Sequence, residues 1–231
     1  MRGVAHRLEL DGLGLAYDVY EAAGAPPMVL LHALGESRQD WLGIAERLAE
    51  DFRVFAIDLR GHGDSDWPDA YSCRLMAEDV TRLLDHLGLR AVTVVGHSLG
   101  GVVAYLLAVR RPDLVRRLVV EDICPPFHRD RPPPERPDED LPFDWTAVLA
   151  LRREAAQDDE ELWNRLSSIS APTLVIGGGA DSSVPPERLR AVEDRIPVCE
   201  LVEIPAGHYV HRTQPAEFLD VVLGWLARNQ P

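Results

Sequence analysis

The chain has 231 residues, of which 46% are hydrophobic and 27% charged, as in an average globular domain that is long enough to bury a full core. Its 38 acidic and 24 basic residues give a net charge of −14, which argues against nucleic acid and anionic membranes as partners, because both select cationic surfaces. All basic residues other than histidine are arginines, so chemistry that needs a reactive lysine is excluded.

The cysteines and the apolar runs indicate in which cellular compartment the protein is expected. Cys73, Cys124 and Cys199 have no metal-binding spacing, and we expect them to be reduced thiols, mostly in the core. The first residues lack the apolar centre of a signal peptide, and the longest apolar runs, MVLL and VVAYLLAV, fall short of the roughly 18 residues that cross a membrane. A cytoplasmic location is therefore predicted.

The predicted elements alternate between strands and helices. HRLEL and LAYDVY alternate in polarity around Asp11-Gly12, which predicts an opening antiparallel hairpin. Continuous short apolar runs then predict strands buried on both faces, at 28–31, 54–57, 92–95, 118–120, 173–176 and 201–204. Helical patterns lie between or after them, at 40–49, 72–88, 99–110, 186–194 and 215–228. This order predicts an α/β fold, a mostly parallel doubly wound sheet within one domain over residues 1–231.

One segment interrupts the alternation. Residues 125–145 are rich in proline and charge, and residues 146–166 then suit one or two short helices. Connections of this length in a compact domain are usually functional or disordered. We expect residues 124–166 to form a short cap over the sheet edge; a disordered insertion is the alternative.

The sharpest motif follows the third of the continuous runs. The predicted strand VTVV leads directly into Gly96-His97-Ser98-Leu99-Gly100 and then into an apolar helix. This is the G-x-S-x-G pattern of a nucleophile elbow, whose glycines permit a sharp turn that exposes the serine hydroxyl at a helix N-terminus. Ser98 is therefore the predicted nucleophile, and the amide of Leu99 is a predicted oxyanion donor.

Together with this motif, five further segments occur in a familiar order: LLHALGES (30–37), DLRGHGDSD (58–66), VVEDICPP (119–126), APTLVIGGGAD (171–181) and IPAGHYVH (204–211). Over nearly its whole length the chain resembles the α/β-hydrolase fold family. The resemblance implies a serine hydrolase whose nucleophile, acid and base follow one another in that order along the chain. It implies no metal and no organic cofactor.

The resemblance also indicates the partners of Ser98. His208 follows the last apolar run and matches the family's base. Asp181 comes directly after the segment TLVIGGGA and is the predicted acid of the triad. Glu121 or Asp122, one strand earlier, is the alternative, at a position that some members of the family use. The interpretation preferred for these two is a polar strand end that helps to anchor the cap.

A second oxyanion donor is expected in the loop after the first parallel strand. The family's pattern maps this backbone amide to Leu34, next to Ala33, which replaces the usual glycine. If that position requires positive φ, alanine costs about 1 kcal/mol there. His62 and His97 lie within family motifs and are predicted to buttress turns.

These assignments predict a serine hydrolase that cleaves a small carboxylic ester or lactone through an acyl-enzyme. The apolar wall of its pocket is expected to come from aromatic side chains: Phe127, Phe143, Trp145, Trp163 and Tyr209. A serine nucleophile argues against epoxide hydrolases and haloalkane dehalogenases, which need a carboxylate there. Thioesterase, amidase, perhydrolase, carbon–carbon hydrolase and acyltransferase activities stay open, as do a ligand receptor on a hydrolase scaffold and the oligomeric state.

Overall fold

The computed structural model describes residues 3–21, 24–130 and 132–229. Its strands are β1 (Val4–Leu10), β2 (Leu13–Tyr20), β3 (Pro27–Leu31), β4 (Arg53–Ile57), β5 (Val92–His97), β6 (Val115–Glu121), β7 (Thr173–Gly177) and β8 (Cys199–Glu203). Its α-helices are α1 (Leu42–Leu48), α2 (Cys73–His86), α3 (Leu99–Arg110), α4 (Trp145–Ala155), α5 (Glu160–Arg165), α6 (Pro186–Glu193), α7 (Val210–Thr213) and α8 (Pro215–Arg228). Every strand and helix expected from the apolar patterns is present, within a few residues at the ends.

The strands form one eight-stranded sheet in the order β1-β2-β4-β3-β5-β6-β7-β8. The β1–β2 hairpin turns at Asp11-Gly12, both with positive φ, and β2 also runs antiparallel to β4. All pairs from β4 to β8 are parallel. The predicted mostly parallel sheet is therefore confirmed.

Helices cover both faces of the sheet. The side chains of its central strands point alternately into two apolar clusters, one on each face. In β3, Val29 and Leu31 pack in the cluster that contains residues of α2 and α3, whereas Met28 and Leu30 pack in the cluster of α1 and α8. All four of these side chains are fully buried. Burial on both faces explains the continuous apolar runs, and it confirms the doubly wound architecture.

The parallel strands bring several loops to one edge of the sheet. His97 at the end of β5 pairs with Glu121 at the end of β6, and Glu121 pairs with Ile176 near the end of β7. The residues that follow these strands are therefore neighbours, as expected at the carboxyl edge of a parallel sheet.

The segment between β6 and β7 crosses this edge, and residue 131 within it lies outside the described residues. Phe143 forms a β-bridge with His62, and the amide of Gly63 donates to the carbonyl of Pro142 at 2.9 Å. Asp144 and Asp159 accept hydrogen bonds from backbone amides at the starts of α4 and α5. These contacts fix the segment beside the loop at 58–66; that it acts as a cap stays a prediction.

Two smaller expectations concern the cysteines and the membrane. Cys73 and Cys124 are buried, Cys199 is half-buried, and all three thiols are free. Among the described residues, no helix combines the length and the apolar character needed to cross a membrane.

Candidate active site

Ser98 sits in a strained turn between β5 and α3. Its φ and ψ are 49° and −112°, an uncommon conformation for a residue with a side chain. A Cβ atom added to Gly96 would overlap the carbonyl of Gly100, and one added to Gly100 would overlap the carbonyl of Leu31. Glycine is therefore required on both sides of the serine, as the G-x-S-x-G pattern predicts.

Three side chains form a continuous row of hydrogen bonds at this turn. The Ser98 hydroxyl lies 3.0 Å from Nε2 of His208, and Nδ1 of His208 lies 2.7 Å from Oδ2 of Asp122. A carboxylate only accepts, so Nδ1 carries the hydrogen and Nε2 is free to accept the serine proton. The row has the arrangement of nucleophile, base and orienting acid that activates a serine.

The carboxylate of Asp122 is held from three directions. Besides His208, the backbone amide of Gly178 donates to Oδ1 at 2.8 Å, and the hydroxyl of Ser182 donates to Oδ2 at 2.5 Å. The side chain is fully buried, and the backbone of Asp122 has a positive φ of 47°. A non-glycine residue in this strained conformation points to a position fixed for its side chain.

The structure corrects the prediction for Asp181. The residues after β7 form a short 3-10 turn, Gly179–Asp181, in which Asp181 is exposed. The place beside the imidazole is taken by Asp122, and Ser182 donates to the same oxygen. Asp122, the alternative one strand earlier, therefore occupies the position expected for the acid. The prediction was wrong because the family resemblance allowed both strand ends, and nothing local in the sequence reveals the positive φ of Asp122.

The two residues whose backbone amides are the predicted oxyanion donors, Leu99 and Leu34, lie beside Ser98. Leu99 is the first residue of α3, where an N–H has no acceptor within the helix, and both Leu99 and Leu34 line the same cavity as Ser98. Ala33 is not strained: among the described residues, positive φ in this turn falls on Gly35, at 81°. The alanine therefore carries no penalty of the kind expected.

The loop that carries Leu34 is anchored by a neutral histidine. Nε2 of His32 accepts the amide hydrogen of Leu59 at 3.0 Å, and Nδ1 donates to the carbonyl of Ala33 at 2.7 Å. Burial lowers the pKa of His32 to about 4, which keeps the ring neutral and able to accept. The carbonyl of His32 in turn accepts the amide hydrogen of Gly100 at 3.1 Å, which ties the loop to the start of α3.

A second histidine supports the loop that carries His208. Nε2 of His97 donates to the backbone carbonyl of His208 at 2.7 Å, and the two rings lie 4.9 Å apart between centroids. Burial lowers the pKa of His97 to about 4, so its ring is neutral at physiological pH. This is the buttressing role predicted for His97.

His62 supports the turn in which it lies: its Nδ1 is 3.0 Å from the carbonyl oxygen of Arg60.

Behind the row lies another histidine–carboxylate pair. Nδ1 of His211 is 2.7 Å from Oε2 of Glu121, and Nε2 is 3.2 Å from Oδ1 of Asp40. Burial opposes the charge of His211, but Asp40 and Glu121 outweigh it and raise its pKa to about 9. Asp40, His97 and His211 converge closely enough to hold a metal ion, yet a protonated His211 would have to give up its proton first.

A cavity of about 650 Å³ opens above Ser98. Four of the five aromatic residues predicted for its wall line it: Phe127, Phe143, Trp145 and Tyr209. Trp163 does not, because its indole N–H donates to the carbonyl of Pro126 at 3.1 Å and its ring packs against the buried core. Trp163 therefore holds the segment in place from outside the cavity.

Comparisons with known proteins agree with the fold. The family model described as the alpha/beta hydrolase fold matches residues 26–168. The chain therefore belongs to the α/β-hydrolase family, and the protein is a hydrolase.

Relatives with known names cover most of the chain. A mouse (Mus musculus) sn-1-specific diacylglycerol lipase, ABHD11, is 30% identical over 95% of this chain and 87% of its own length. A solved hydrolase structure from Pseudomonas aeruginosa PA01 has a TM-score of 0.84 and 28% identity, and covers 96% of this chain and 98% of its own. The structure of Est816, an N-acyl homoserine lactone degrading enzyme, has a TM-score of 0.78 at 27% identity, with coverage of 95% and 100%.

Proposed function

We propose that the protein hydrolyses a carboxylic ester or lactone through an acyl-enzyme formed on Ser98. The observation that carries the proposal is the row of hydrogen bonds from Ser98 through His208 to Asp122, which ends in a large cavity. A serine hydroxyl is a weak nucleophile at its ordinary pKa, and a neutral imidazole within hydrogen-bond distance activates it.

In the first half of the reaction, Oγ of Ser98 attacks the carbonyl carbon while Nε2 of His208 takes the hydroxyl proton. The amides of Leu99 and Leu34 donate to the oxyanion that forms. Asp122 keeps the hydrogen on Nδ1 and stabilises the imidazolium. The carbon–oxygen bond to the alcohol then breaks, and His208 returns the proton to the leaving oxygen.

In the second half, a water molecule replaces the alcohol. His208 takes a proton from this water as it attacks the acyl carbon, and the same two amides stabilise the second oxyanion. When the intermediate collapses, His208 protonates Oγ of Ser98 and the carboxylic acid leaves. With a lactone, the alcohol stays attached to the acyl group, and the product is a hydroxy acid.

The walls of the cavity support an apolar acyl or ring group next to Ser98. Val102, Val148 and Leu151 line it together with the four aromatic side chains described above. Its volume of about 650 Å³ is typical of small-molecule sites and leaves space beyond a short acyl chain. A small ester or lactone therefore fits with room at its far end.

The names of the relatives support ester chemistry. A lipase and a lactone-degrading enzyme are among the proteins that this chain resembles over most of its length. A soluble epoxide hydrolase from Corynebacterium is 41% identical, but over only 52% of this chain and 42% of its own length. Epoxide opening through an ester intermediate needs a carboxylate nucleophile, and the corresponding turn here carries Ser98.

Replacing Ser98 with alanine tests the proposal. We expect kcat/KM for short p-nitrophenyl esters and for simple lactones to fall by about 10³-fold or more, because the nucleophile is lost. Ser182→Ala is the matched control: it removes a hydroxyl that is three hydrogen bonds away from Ser98, beyond Asp122, and should cost far less activity. Near-normal turnover by a folded Ser98→Ala variant, or no activity on any ester or lactone in the wild type, would overturn the proposal.

A further inference from the structure

The charge around the cavity differs from that of the whole chain. The net charge of the protein is −14. Among the described residues that line the cavity, however, the charged side chains other than histidine are Arg129, Arg152 and Glu135. Glu135 is exposed in the proline-rich stretch. Positive charge therefore outweighs negative charge at the wall of a site in an otherwise acidic protein.

Arg152 lies on the face of α4 that borders the cavity. Trp145, Val148, Leu151, Arg152 and Ala155 all line it, at the spacing of one helix face, whereas the neighbouring Arg153 does not. Arg152 is exposed, and among the described residues no carboxylate pairs with it. A cation at the mouth of an apolar cavity without a partner is free to bind an anion.

The charge of Arg152 reaches Tyr209, another side chain in the wall of the cavity. Burial and the charge of Glu36 raise the pKa of Tyr209, and Arg212 and Arg152 lower it. Tyr209 follows His208 directly and lines the same cavity. Arg152 therefore lies near Tyr209, and both side chains line the cavity that contains Ser98.

Arg129 adds a second cation to the lining of the cavity. Its guanidinium lies 3.8 Å from the ring centroid of Phe127 and donates to the carbonyl of Ser183 at 3.3 Å. Burial raises the pKa of the Cys124 thiol to about 12, and the charge of Arg129 opposes that rise. Phe127, Ser183 and Cys124 all line the cavity, so these contacts place Arg129 at its surface.

We propose that Arg152, with Arg129 adding to the positive potential, forms an anion subsite, and that the preferred substrates are esters or lactones carrying a carboxylate at the end remote from the scissile bond. Guanidinium is the side-chain group that best matches the planar geometry of a carboxylate. Ser98 and Arg152 line the same cavity, whose volume of about 650 Å³ leaves room for an apolar acyl stem between a scissile bond and a charged end. This inference rests on the proposed ester hydrolysis and specifies its substrate class.

The test compares esters that differ only at the remote end. Monomethyl succinate, glutarate and adipate carry a carboxylate where methyl butanoate, pentanoate and hexanoate end in a methyl group. The wild type should prefer at least one anionic ester over its neutral partner in kcat/KM. Arg152→Gln should lower that preference by about 10-fold, mainly through KM, because a charge-assisted contact is lost. Arg153→Gln, at the next position of the helix and outside the cavity lining, should leave the preference unchanged.

Two results would contradict the subsite: a wild type that prefers the neutral esters throughout, or an Arg152→Gln variant with the same preference as the wild type. Activity on neutral esters that depends on Ser98 would in that case leave the proposed hydrolysis intact. If no ester is hydrolysed, calorimetric titration of glutarate into Ser98→Ala still tests the subsite. Binding that weakens in Ser98→Ala/Arg152→Gln but not in Ser98→Ala/Arg153→Gln supports it, and equal binding by both refutes it.

Discussion

Two histidine–carboxylate pairs lie side by side at the carboxyl edge of the sheet, and they have opposite properties. Both pairs use consecutive acids at the end of β6: Asp122 contacts His208, and Glu121 contacts His211. The His208 side chain is 24% exposed and faces Ser98, whereas the His211 side chain is 1% exposed. A histidine and a carboxylate thus form one pair that is open to the cavity and one that is buried in the core.

The two histidines differ in the group that contacts Nε2, the ring nitrogen that points away from the first carboxylate. Nε2 of His208 accepts from a hydroxyl group, so this ring can gain and lose a proton during a reaction. Nε2 of His211 faces a second carboxylate, Asp40, and its ring stacks on Trp41 at 4.2 Å between centroids. The two carboxylates favour the protonated form of His211, which is therefore a buried cation with a structural role. A histidine beside an acid therefore indicates catalysis only when a nucleophile and solvent reach its other nitrogen.

The largest expected effect separates the two histidines. His208→Ala should lower kcat/KM on short esters by about 10³-fold or more, because the general base is lost. His211→Gln should lower kcat/KM by less than about 10-fold, because His211 is linked to the site only through its packing against His97. Ester kinetics on variants whose thermal unfolding has been checked make this comparison. A His211→Gln variant as inactive as His208→Ala at equal stability would contradict the division of roles.

The two acids provide the next comparison. Asp122→Asn should lower kcat by about 10² to 10⁴-fold, because an amide no longer fixes the tautomer or balances the imidazolium. Asp181→Asn, at an exposed site, should stay within about 2-fold of the wild type. Both variants need steady-state kinetics and unfolding curves, since Asp122 also accepts from Gly178 and Ser182. Greater damage from Asp181→Asn would restore the acid expected from the sequence.

A smaller effect concerns stability and pH. The pKa of His211 is raised from 6.5 to about 9, so its ion pairs stabilise the fold fully below about pH 6.5. This contribution is lost as pH rises through 9. Urea unfolding of the wild type and of His211→Gln should therefore give a stability difference that is largest near pH 6.5 and shrinks towards pH 9.5. A difference that is constant over this range would show that His211 is not the titrating group.

Much of the fold could be predicted because its strands, helices and turns leave patterns in short stretches of the sequence. Continuous apolar runs marked the parallel strands, and the glycines around Ser98 marked the elbow between β5 and α3. His208 followed from its place after the last strand. The residue types and their neighbours were sufficient to predict the strands and the elbow, whereas the choice of His208 also used the family resemblance.

The acid and part of the cavity wall depended on tertiary contacts that no local pattern reveals. Asp122 and Asp181 both follow strands, and the choice between them depends on the positive φ of Asp122 and on the donors that surround it. Trp163 lies on the predicted helical stretch, but the orientation of α5 directs its indole towards Pro126. Arg152 carried no signal in the sequence, because its role depends on which face of α4 borders the cavity.

The most direct test of the central claim is to identify the residue that a fluorophosphonate probe modifies in the folded protein. Such probes phosphonylate only serines that an adjacent base activates. We expect peptide mass spectrometry to find the adduct on Ser98 in the wild type and in Asp181→Asn. The adduct should be strongly reduced in Asp122→Asn and absent in His208→Ala and in denatured protein. A folded wild type that gives no adduct at Ser98 would contradict the account and favour a binding protein on a hydrolase scaffold.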